Sequence, residues 1–126
     1  MIIGIGTDLV EISRIKNVIL RKKNKFIKYV LSNFEYKEYS ISKFPVRFIA
    51  KRFAIKEATL KAFGIGLRNG ISFKQLEIFH NYLGKPFLRF FEKSKNLLKE
   101  LKINSVHITL SDTKKYVCST VIFERN

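Results

Sequence analysis

The sequence contains few of the residues that usually decide an interpretation at once. It has one cysteine, two prolines and no tryptophan in 126 residues. A single cysteine excludes a disulfide framework and a cysteine-rich zinc module, and it is compatible with a reducing compartment. No apolar run reaches the roughly 18–20 residues that a membrane span requires. The opening residues, MIIGIGTDLVEI, lack the basic region of a signal peptide. We therefore expect no association with a membrane.

Acidic residues are the scarce charged class. The chain has 25 Lys+Arg against 10 Asp+Glu, a formal net charge of +15. This excess predicts a polyanionic partner such as a nucleic acid, because contacts to phosphates release counterions. It is equally compatible with an acidic protein or an anionic small molecule. A drift towards A/T-rich codons would also add surface lysines, so composition alone leaves these alternatives open.

The pattern of apolar residues predicts one α+β domain over residues 1–126, with a mainly antiparallel sheet. There is no repeat, low-complexity stretch or linker, and 46% of the residues are hydrophobic. Ser32 and Glu35 form a capping box, and Gly64 suits the end of the longest helix, before a loop that extends to Gly70. The predicted strands are 2–6, 76–79, 87–91, 105–111 and 116–124, and the predicted helices follow Asp8 and span 33–41, 45–63 and 94–101.

Two carboxylates in this acid-poor chain are candidates for chemistry. Asp8, with Glu11 three residues later, has the spacing of a helix N-cap, but it also ends a predicted strand. Glu57 lies mid-helix, one turn before Lys61, so it is either a solvated partner of that lysine or a partly buried side chain beside nearby alanines. If Asp8 and Glu57 converge, they suit Mg²⁺, which one or two carboxylates hold together with substrate phosphates.

Three other features are weaker candidates. His107, Thr109 and Ser111 alternate on one face of a predicted strand, which is either a ligand wall or a solvent face. The other aspartate, Asp112, fits the turn that follows. His80 lies near a turn and is assigned to the surface. A rigid turn with one cation is formed by Gly84, Lys85 and Pro86. It could receive a phosphate, or it is only a turn.

These motifs, in this order, resemble one family. GIGTDLVEI at Gly4–Ile12 resembles an opening motif G-x-D-(I/L)-x-E-(I/L), and RFAIKEATLKA at Arg52–Ala62 resembles R-(F/W)-A-x-K-E-A-x-x-K-A. The Gly84–Pro86 turn and the His107–Ser111 strand match as well. The family is holo-[acyl-carrier-protein] synthase, the small-type 4′-phosphopantetheinyl transferases, and the resemblance covers essentially the whole chain.

The resemblance implies a cytoplasmic enzyme of fatty acid biosynthesis with a 4′-phosphopantetheinyl transferase-like fold. Such an enzyme moves the 4′-phosphopantetheine arm of coenzyme A to a serine of apo acyl carrier protein and releases adenosine 3′,5′-bisphosphate. It implies Mg²⁺ at Asp8 and Glu57, with Lys61 near the phosphates. The nucleotide would lie against Gly84, Lys85, Pro86 and the strand of His107, Thr109 and Ser111. It also implies a homotrimer with a site in each subunit interface.

The chemistry of the transfer assigns further roles. Lys61 and Lys85 would add positive charge where negative charge develops. A water on the metal, oriented by Glu57, is the preferred base, and His107 is the second choice. Acidic carrier protein would dock on the basic face of the first helix, through Arg14, Arg21, Lys22, Lys25 and the apolar Phe26.

Two readings compete with this one. A basic RNA-binding module, such as a small ribosomal protein, explains charge and size but not the positions of the aspartates; we expect no nucleic-acid partner. An inactive relative with a structural role is the other. The chain also departs from the family pattern, since many relatives have histidine at Asp112 and serine at Thr109. A carboxylate at Asp112 is unfavourable near phosphates unless it faces a ribose hydroxyl, a base or a cation.

Overall fold

The computed structural model describes residues 1–67 and 70–126, so part of the loop predicted between Gly64 and Gly70 lies outside the described residues. The predicted α+β class is confirmed, but the strands form two antiparallel sheets: three strands in the order β1-β5-β4, and the hairpin β2-β3. The strands are β1 (Ile2–Glu11), β2 (Leu76–His80), β3 (Pro86–Phe90), β4 (Ser105–Asp112) and β5 (Tyr116–Glu124). The helices are α1 (Ile12–Lys22), α2 (Asn24–Val30), α3 (Asn33–Ser40), α4 (Pro45–Phe63) and α5 (Glu92–Glu100), with a 3₁₀ turn at Phe73–Gln75.

The first strand is longer than predicted, and the expectation that Asp8 caps a helix is wrong. Asp8 lies within β1 opposite Ser119, and strand pairing with β5 continues to Glu11. The helix begins only at Ile12, and its N-cap Glu11 makes no side-chain capping bond. Pairing with β5 satisfies the backbone that would otherwise have started the helix. The basic segment beyond it forms a separate short helix, α2, after a break at Lys23, whose φ is 51°.

The ends of the next two helices follow the sequence signals. Ser32 and Glu35 form the predicted reciprocal capping box at the start of α3. Pro45 occupies the first turn of α4, and Gly64 ends it in the left-handed conformation with a φ of 79°. Within the two described ranges, no helix is both long enough and apolar enough to cross a bilayer. Helix α4 instead crosses the three-stranded sheet and forms the centre of the fold.

The contact between β1 and α4 depends on two glycines. A Cβ added to Gly6 would lie 1.8 Å from the carbonyl oxygen of Ala58 and 2.6 Å from the amide nitrogen of Ala62. A Cβ added to Gly4 would lie 1.9 Å from the carbonyl oxygen of Ala62. No side chain fits at either position, because backbone meets backbone there. The strand therefore lies directly against the helix, and Asp8, two residues beyond Gly6 on the same face, points towards α4.

A buried ion pair between Glu35 and Lys56 joins α3 to α4. Glu35 and Lys56 are both fully buried, and the Lys56 ammonium lies 2.6 Å from Glu35 Oε1. Glu35 also accepts hydrogen bonds from the backbone amides of Ser32 and Ile78, at 2.9 and 3.0 Å. Burial lowers the pKa of Lys56 to about 8, although the Glu35 charge acts in the opposite direction. The ammonium is otherwise satisfied by two backbone carbonyls, those of Val30 and Phe73.

We predict that Gly6→Ala destabilises the fold. The new methyl group must separate β1 from α4, and overpacking of this kind costs roughly 1–3 kcal/mol. Urea unfolding should show a lower midpoint with an unchanged slope. Gly66→Ala is the matched control, because an added Cβ meets nothing within 4 Å there. A Gly6→Ala protein as stable as the control would contradict the close approach.

Candidate functional site

The first candidate site is a cavity of about 470 Å³ between β1, α1, α2 and α4, which we call the Asp8 cavity. The alternation of β1 turns Asp8 towards α4, and the long axis of α4 brings Glu57 to the same cavity. The sequence expectation that these two carboxylates converge is thus met by the fold. The rest of the lining is mixed, with apolar and basic side chains that include Ile15, Phe26, Phe53, Tyr116 and Arg14.

Lys61 lies beside the Asp8 cavity and contacts its aspartate. Its ammonium donates to Asp8 Oδ1 at 3.1 Å and to the carbonyl oxygen of Thr7 at 3.0 Å. The alternative that Lys61 is a solvated partner of Glu57 is wrong, because no ion pair joins those two among the residues described. Lys61 therefore bridges the helix to the strand, and within residues 1–67 and 70–126 no cation lies at ion-pair distance from Glu57.

Asp8 and Glu57 both have raised pKa values in this cavity. Burial raises the pKa of Asp8, and the hydrogen bond and charge of Lys61 partly oppose this effect. Burial also raises the pKa of Glu57, the negative charge of Asp8 raises it further, and Lys61 lowers it. Two carboxylates that repel each other at the edge of solvent are a site that gains from a cation.

This donor set fits Mg²⁺ bound with a substrate. No cluster of three or more histidine, cysteine or acidic side chains is present in the described part of the chain. A closed all-protein metal site is therefore not what the Asp8 cavity provides. Mg²⁺ commonly uses one or two carboxylates and takes its remaining ligands from waters and phosphates. Asp8 and Glu57 match that pattern.

The second candidate site is a cavity of about 390 Å³ beside the hairpin turn, which we call the GKP cavity. Asn81 shapes the turn, since its side-chain oxygen accepts from the backbone amides of Leu83 and Lys85 at 3.0 and 2.9 Å. The left-handed φ of Gly84, 85°, requires a glycine. The cavity wall combines the turn with α4 and β4, and it includes Gly84, Lys85, Pro86, Thr109, Lys51, Arg52 and His80.

The Asp112 carboxylate is paired with two cations. Arg47 Nη1 donates to Asp112 Oδ2 at 2.6 Å and to the carbonyl oxygen of Thr113 at 2.9 Å. The Lys51 ammonium lies 3.9 Å from the same carboxylate. Asp112 thus faces cations, which is one of the arrangements that would make it acceptable near phosphates.

The polar residues of β4 lie on the outer face of the three-stranded sheet. His107, Thr109 and Ser111 are exposed, while Val106, Ile108 and Leu110 pack on the core, as the alternation predicts. His107 Nε2 lies 3.0 Å from Glu124 Oε1. Of the three, Thr109 lines the GKP cavity, and the other two line neither cavity.

The predicted docking residues fall into two groups. Arg14 and Phe26 line the Asp8 cavity, where Arg14 lies 3.6 Å from Glu11. The other three are exposed on α1 and α2 and have no ion-pair partner in the part of the chain that the structure describes: Arg21, Lys22 and Lys25.

Sequence reasoning missed most of the apolar lining and four residues that bear on the chemistry, although His80 is exposed, as predicted. Lys51, Arg52 and His80 line the GKP cavity, and Phe53 lines the Asp8 cavity. The place of His80 beside the Gly84–Pro86 turn could be predicted, because a hairpin that turns after Asn81 pairs His80 with Pro86. No sequence signal showed that one helix, α4, lines both cavities.

Both the sequence and the fold of this chain are similar to those of known proteins. A sequence model of the 4′-phosphopantetheinyl transferase superfamily matches residues 4–121. The chain is 50% identical over 123 residues to a holo-[acyl-carrier-protein] synthase from Pectobacterium carotovorum, with 98% of each chain covered.

Two crystal structures have the same fold. The holo-[acyl-carrier-protein] synthase from Neisseria meningitidis matches with a TM-score of 0.95 at 37% identity, over 99% of this chain and 100% of that one. The corresponding protein from Bacillus anthracis, a complex with CoA (3′,5′-ADP), matches with a TM-score of 0.82 at 30% identity, over 100% of this chain and 99% of that one.

We predict that Lys61→Met raises the pKa of both Asp8 and Glu57, because the Lys61 charge lowers each of them. Carboxyl ¹³C shifts recorded through an acid titration measure this directly. Lys85→Met is the control, since Lys85 lines the other cavity and should leave both pKa values where they are. Unchanged carboxyl titrations in Lys61→Met would show that the ammonium lies elsewhere in solution.

Proposed function

The chain belongs to the 4′-phosphopantetheinyl transferase superfamily and, within it, to the holo-[acyl-carrier-protein] synthases, and we propose that it works with Mg²⁺ held by Asp8 and Glu57. Its activity is transfer of phosphopantetheine from coenzyme A to acyl carrier protein. We propose further that it releases adenosine 3′,5′-bisphosphate and serves fatty acid biosynthesis in the cytoplasm. The observation that carries the proposal is the pair of carboxylates, with pKa values raised by burial, that face one cavity beside Lys61.

The transfer requires charge neutralisation more than covalent chemistry. A serine oxygen of the carrier protein forms a bond to the β-phosphorus of coenzyme A, and the bond from that phosphorus to the bridging oxygen breaks. Mg²⁺ supplies Lewis acidity and a template for the pyrophosphate when it is bound. Lys61 would add a second positive charge near the 5′-phosphate oxygens of the leaving adenosine 3′,5′-bisphosphate.

The serine proton needs an acceptor, and we propose a water that Glu57 would orient beside the metal. His107 remains the second choice as base. Its imidazole lies on the outer sheet face beside Glu124, away from the described lining of the Asp8 cavity.

We propose that the nucleotide half of coenzyme A binds in the GKP cavity. Lys51, Arg52 and Lys85 give that cavity a positive wall, and Thr109 of β4 borders it. His107 and Ser111, on the same face of β4 as Thr109, would contact the nucleotide from the outer sheet face. The electrostatic part of the binding is expected to be large because the ligand carries three phosphate groups.

A homotrimer would bring the two cavities of different subunits together. No described residue lines both cavities, so a single chain offers the carboxylates and the positive wall in separate places. The outer face of the three-stranded sheet exposes Ile5 and Leu9 at 58% and 65%. Exposed apolar side chains in a row on a sheet face are typical of a protein interface. We propose that this face is buried in the trimer and that each subunit interface completes one site.

We predict that Glu57→Gln abolishes turnover while the protein stays folded, since the amide cannot hold the cation. Mass spectrometry of apo carrier protein, incubated with coenzyme A and Mg²⁺, measures the added phosphopantetheine. EDTA should abolish the wild-type reaction, and added Mg²⁺ should restore it.

Glu100→Gln, on the exposed face of α5, is the matched control and should react as the wild type does. All three proteins should sediment at three times the 14.8 kDa chain mass. Full activity of a correctly assembled Glu57→Gln protein would contradict the role of Glu57, and a monomer with wild-type activity would contradict the trimer.

The acidic carrier protein is proposed to dock on α1 and α2. Arg14, Arg21, Lys22 and Lys25 form the positive rim, and Phe26 is an apolar contact at the entrance of the Asp8 cavity. The attraction between this rim and an acidic partner should mainly raise the association rate and weaken with salt.

We predict that the double variant Arg21→Glu, Lys25→Glu, at exposed positions outside the Asp8 cavity, raises KM for carrier protein and leaves KM for coenzyme A unchanged. The charge reversal removes attraction and adds repulsion on one face only. Steady-state kinetics with each substrate varied in turn measures both constants. Lys95→Glu with Lys99→Glu, on exposed positions of α5, makes the same change in net charge and should have little effect. Equal changes in both KM values would argue against this docking surface.

A further inference from the structure

His80 has a position in the GKP cavity that the proposed chemistry does not use. It is the last residue of β2, and it lines the cavity opposite the turn of Gly84, Lys85 and Pro86. Among the described lining residues it is the one side chain that titrates near neutral pH. A cavity that changes its charge with His80 can bind an anion differently at different pH values.

The groups around His80 are mostly cationic. Helix α4 contributes Lys51 and Arg52, and the hairpin turn contributes Lys85. β4 contributes Ile108, Thr109 and Leu110, none of which carries a charge. The acidic groups are held by cations: Glu38 of α3 lies 3.5 Å from Arg52, and Asp112 lies 3.9 Å from Lys51.

These neighbouring cations disfavour a proton on the imidazole of the ligand-free protein. Burial lowers the pKa of His80 below its usual 6.5, the charges of Arg52 and Lys51 lower it further, and Glu38 opposes them. A proton on His80 would therefore add a like charge to a cavity that already holds three cations. A bound phosphate reverses the balance, because an opposite charge within about 4–6 Å raises a pKa by one to three units.

We propose that His80 takes up a proton from solvent when the phosphates of the nucleotide bind in the GKP cavity, and that the resulting imidazolium is one of the ligands of that anion. The inference rests on the proposed function, since it places the nucleotide half of coenzyme A in this cavity. It makes His80 a proton-dependent binding residue, separate from the carboxylates of the Asp8 cavity.

The sign of the pH dependence follows from linkage. The bound form holds more protons than the free form, so affinity falls as pH rises. The fall begins at the pKa of His80 in the free protein, below 6.5, and ends at the higher pKa in the complex. A rise of one unit on binding corresponds to about tenfold tighter binding on the acid side of this window.

The test is an NMR titration of the histidine side chains with adenosine 3′,5′-bisphosphate as the probe. The chain has two histidines, so His80→Gln assigns the ¹⁵N imidazole signals of the wild-type protein. We expect a His80 pKa below 6.5 without ligand and at least one unit higher with saturating ligand. Amide shifts at Gly84 and Lys85 report whether the probe occupies the cavity.

Binding with an unchanged His80 pKa would overturn this inference and leave the proposed function intact. No binding of the probe at any pH would overturn both, because the nucleotide would then not lie in the GKP cavity. The two failures are therefore distinguishable in one experiment.

Kinetics of two variants separate proton uptake from a structural role. His80→Gln should raise KM for coenzyme A several-fold at pH 6 and have little effect at pH 8, with kcat unchanged. His80→Lys should bind tightly at both pH values, because its ammonium stays charged. The phosphate monoester of coenzyme A also titrates near pH 6 and affects all three proteins alike. The quantity to compare is therefore the ratio of KM between each variant and the wild type at the same pH. A KM raised equally at both pH values in both variants would mean that His80 only shapes the cavity.

Discussion

The close approach of β1 to α4 is the constraint on which the site depends. Gly4 and Gly6 let the strand lie against the carbonyl groups of Ala58 and Ala62, with no room for a Cβ. At this separation Asp8 reaches the ammonium of Lys61 on the helix, at 3.1 Å. A wider separation would break that contact and move Asp8 away from Glu57. Two glycines that carry no chemistry therefore set the geometry of the charged groups.

Helix α4 has a second, buried anchor that fixes its rotation about its own axis. Lys56 is fully buried against Glu35, and Glu57, the next residue and so about 100° further around the helix, faces the Asp8 cavity. Arg52, one turn earlier, lies 3.5 Å from Glu35 and 4.2 Å from the ring centre of Phe48, and it also lines the GKP cavity. A lone buried carboxylate would be costly, but here every oxygen of Glu35 has a partner. The same helix thus orients one cavity through its core contacts and contributes directly to both.

The sequence could predict the parts of the fold that depend on local signals. The Ser32 capping box, Pro45 at the start of α4 and Gly64 at its end act within one turn of the chain, and all three occur as predicted. The end of β1 was missed because the pairing of Asp8 with Ser119 joins residues more than a hundred positions apart, and the local D-x-x-E spacing favoured a helix. The burial of Lys56 was missed for the same reason, since its partner Glu35 lies on another helix.

The sequence was enough to single out the two carboxylates of the candidate site, but not its cations. Asp8 and Glu57 stand out because acids are rare, with 10 in the chain, whereas any one of 25 cations is hard to single out. Lys51 and Arg52 could be assigned to the GKP cavity only once the hairpin and β4 were placed beside α4.

The distribution of the few acids is itself informative about function. Asp8, Glu35, Glu77 and Asp112 each lie within 4 Å of a lysine or arginine. In the described chain no lysine or arginine lies within ion-pair distance of Glu57, although burial and Asp8 both oppose its ionisation; Glu124, the other partly buried carboxylate without such a partner, lies beside His107. Evolution of a stable fold alone would pair such a group or replace it, because 25 basic residues are at hand. An unpaired carboxylate at a cavity is suited to a positive charge that arrives with the substrate, and this is why we propose Glu57 as a ligand of Mg²⁺.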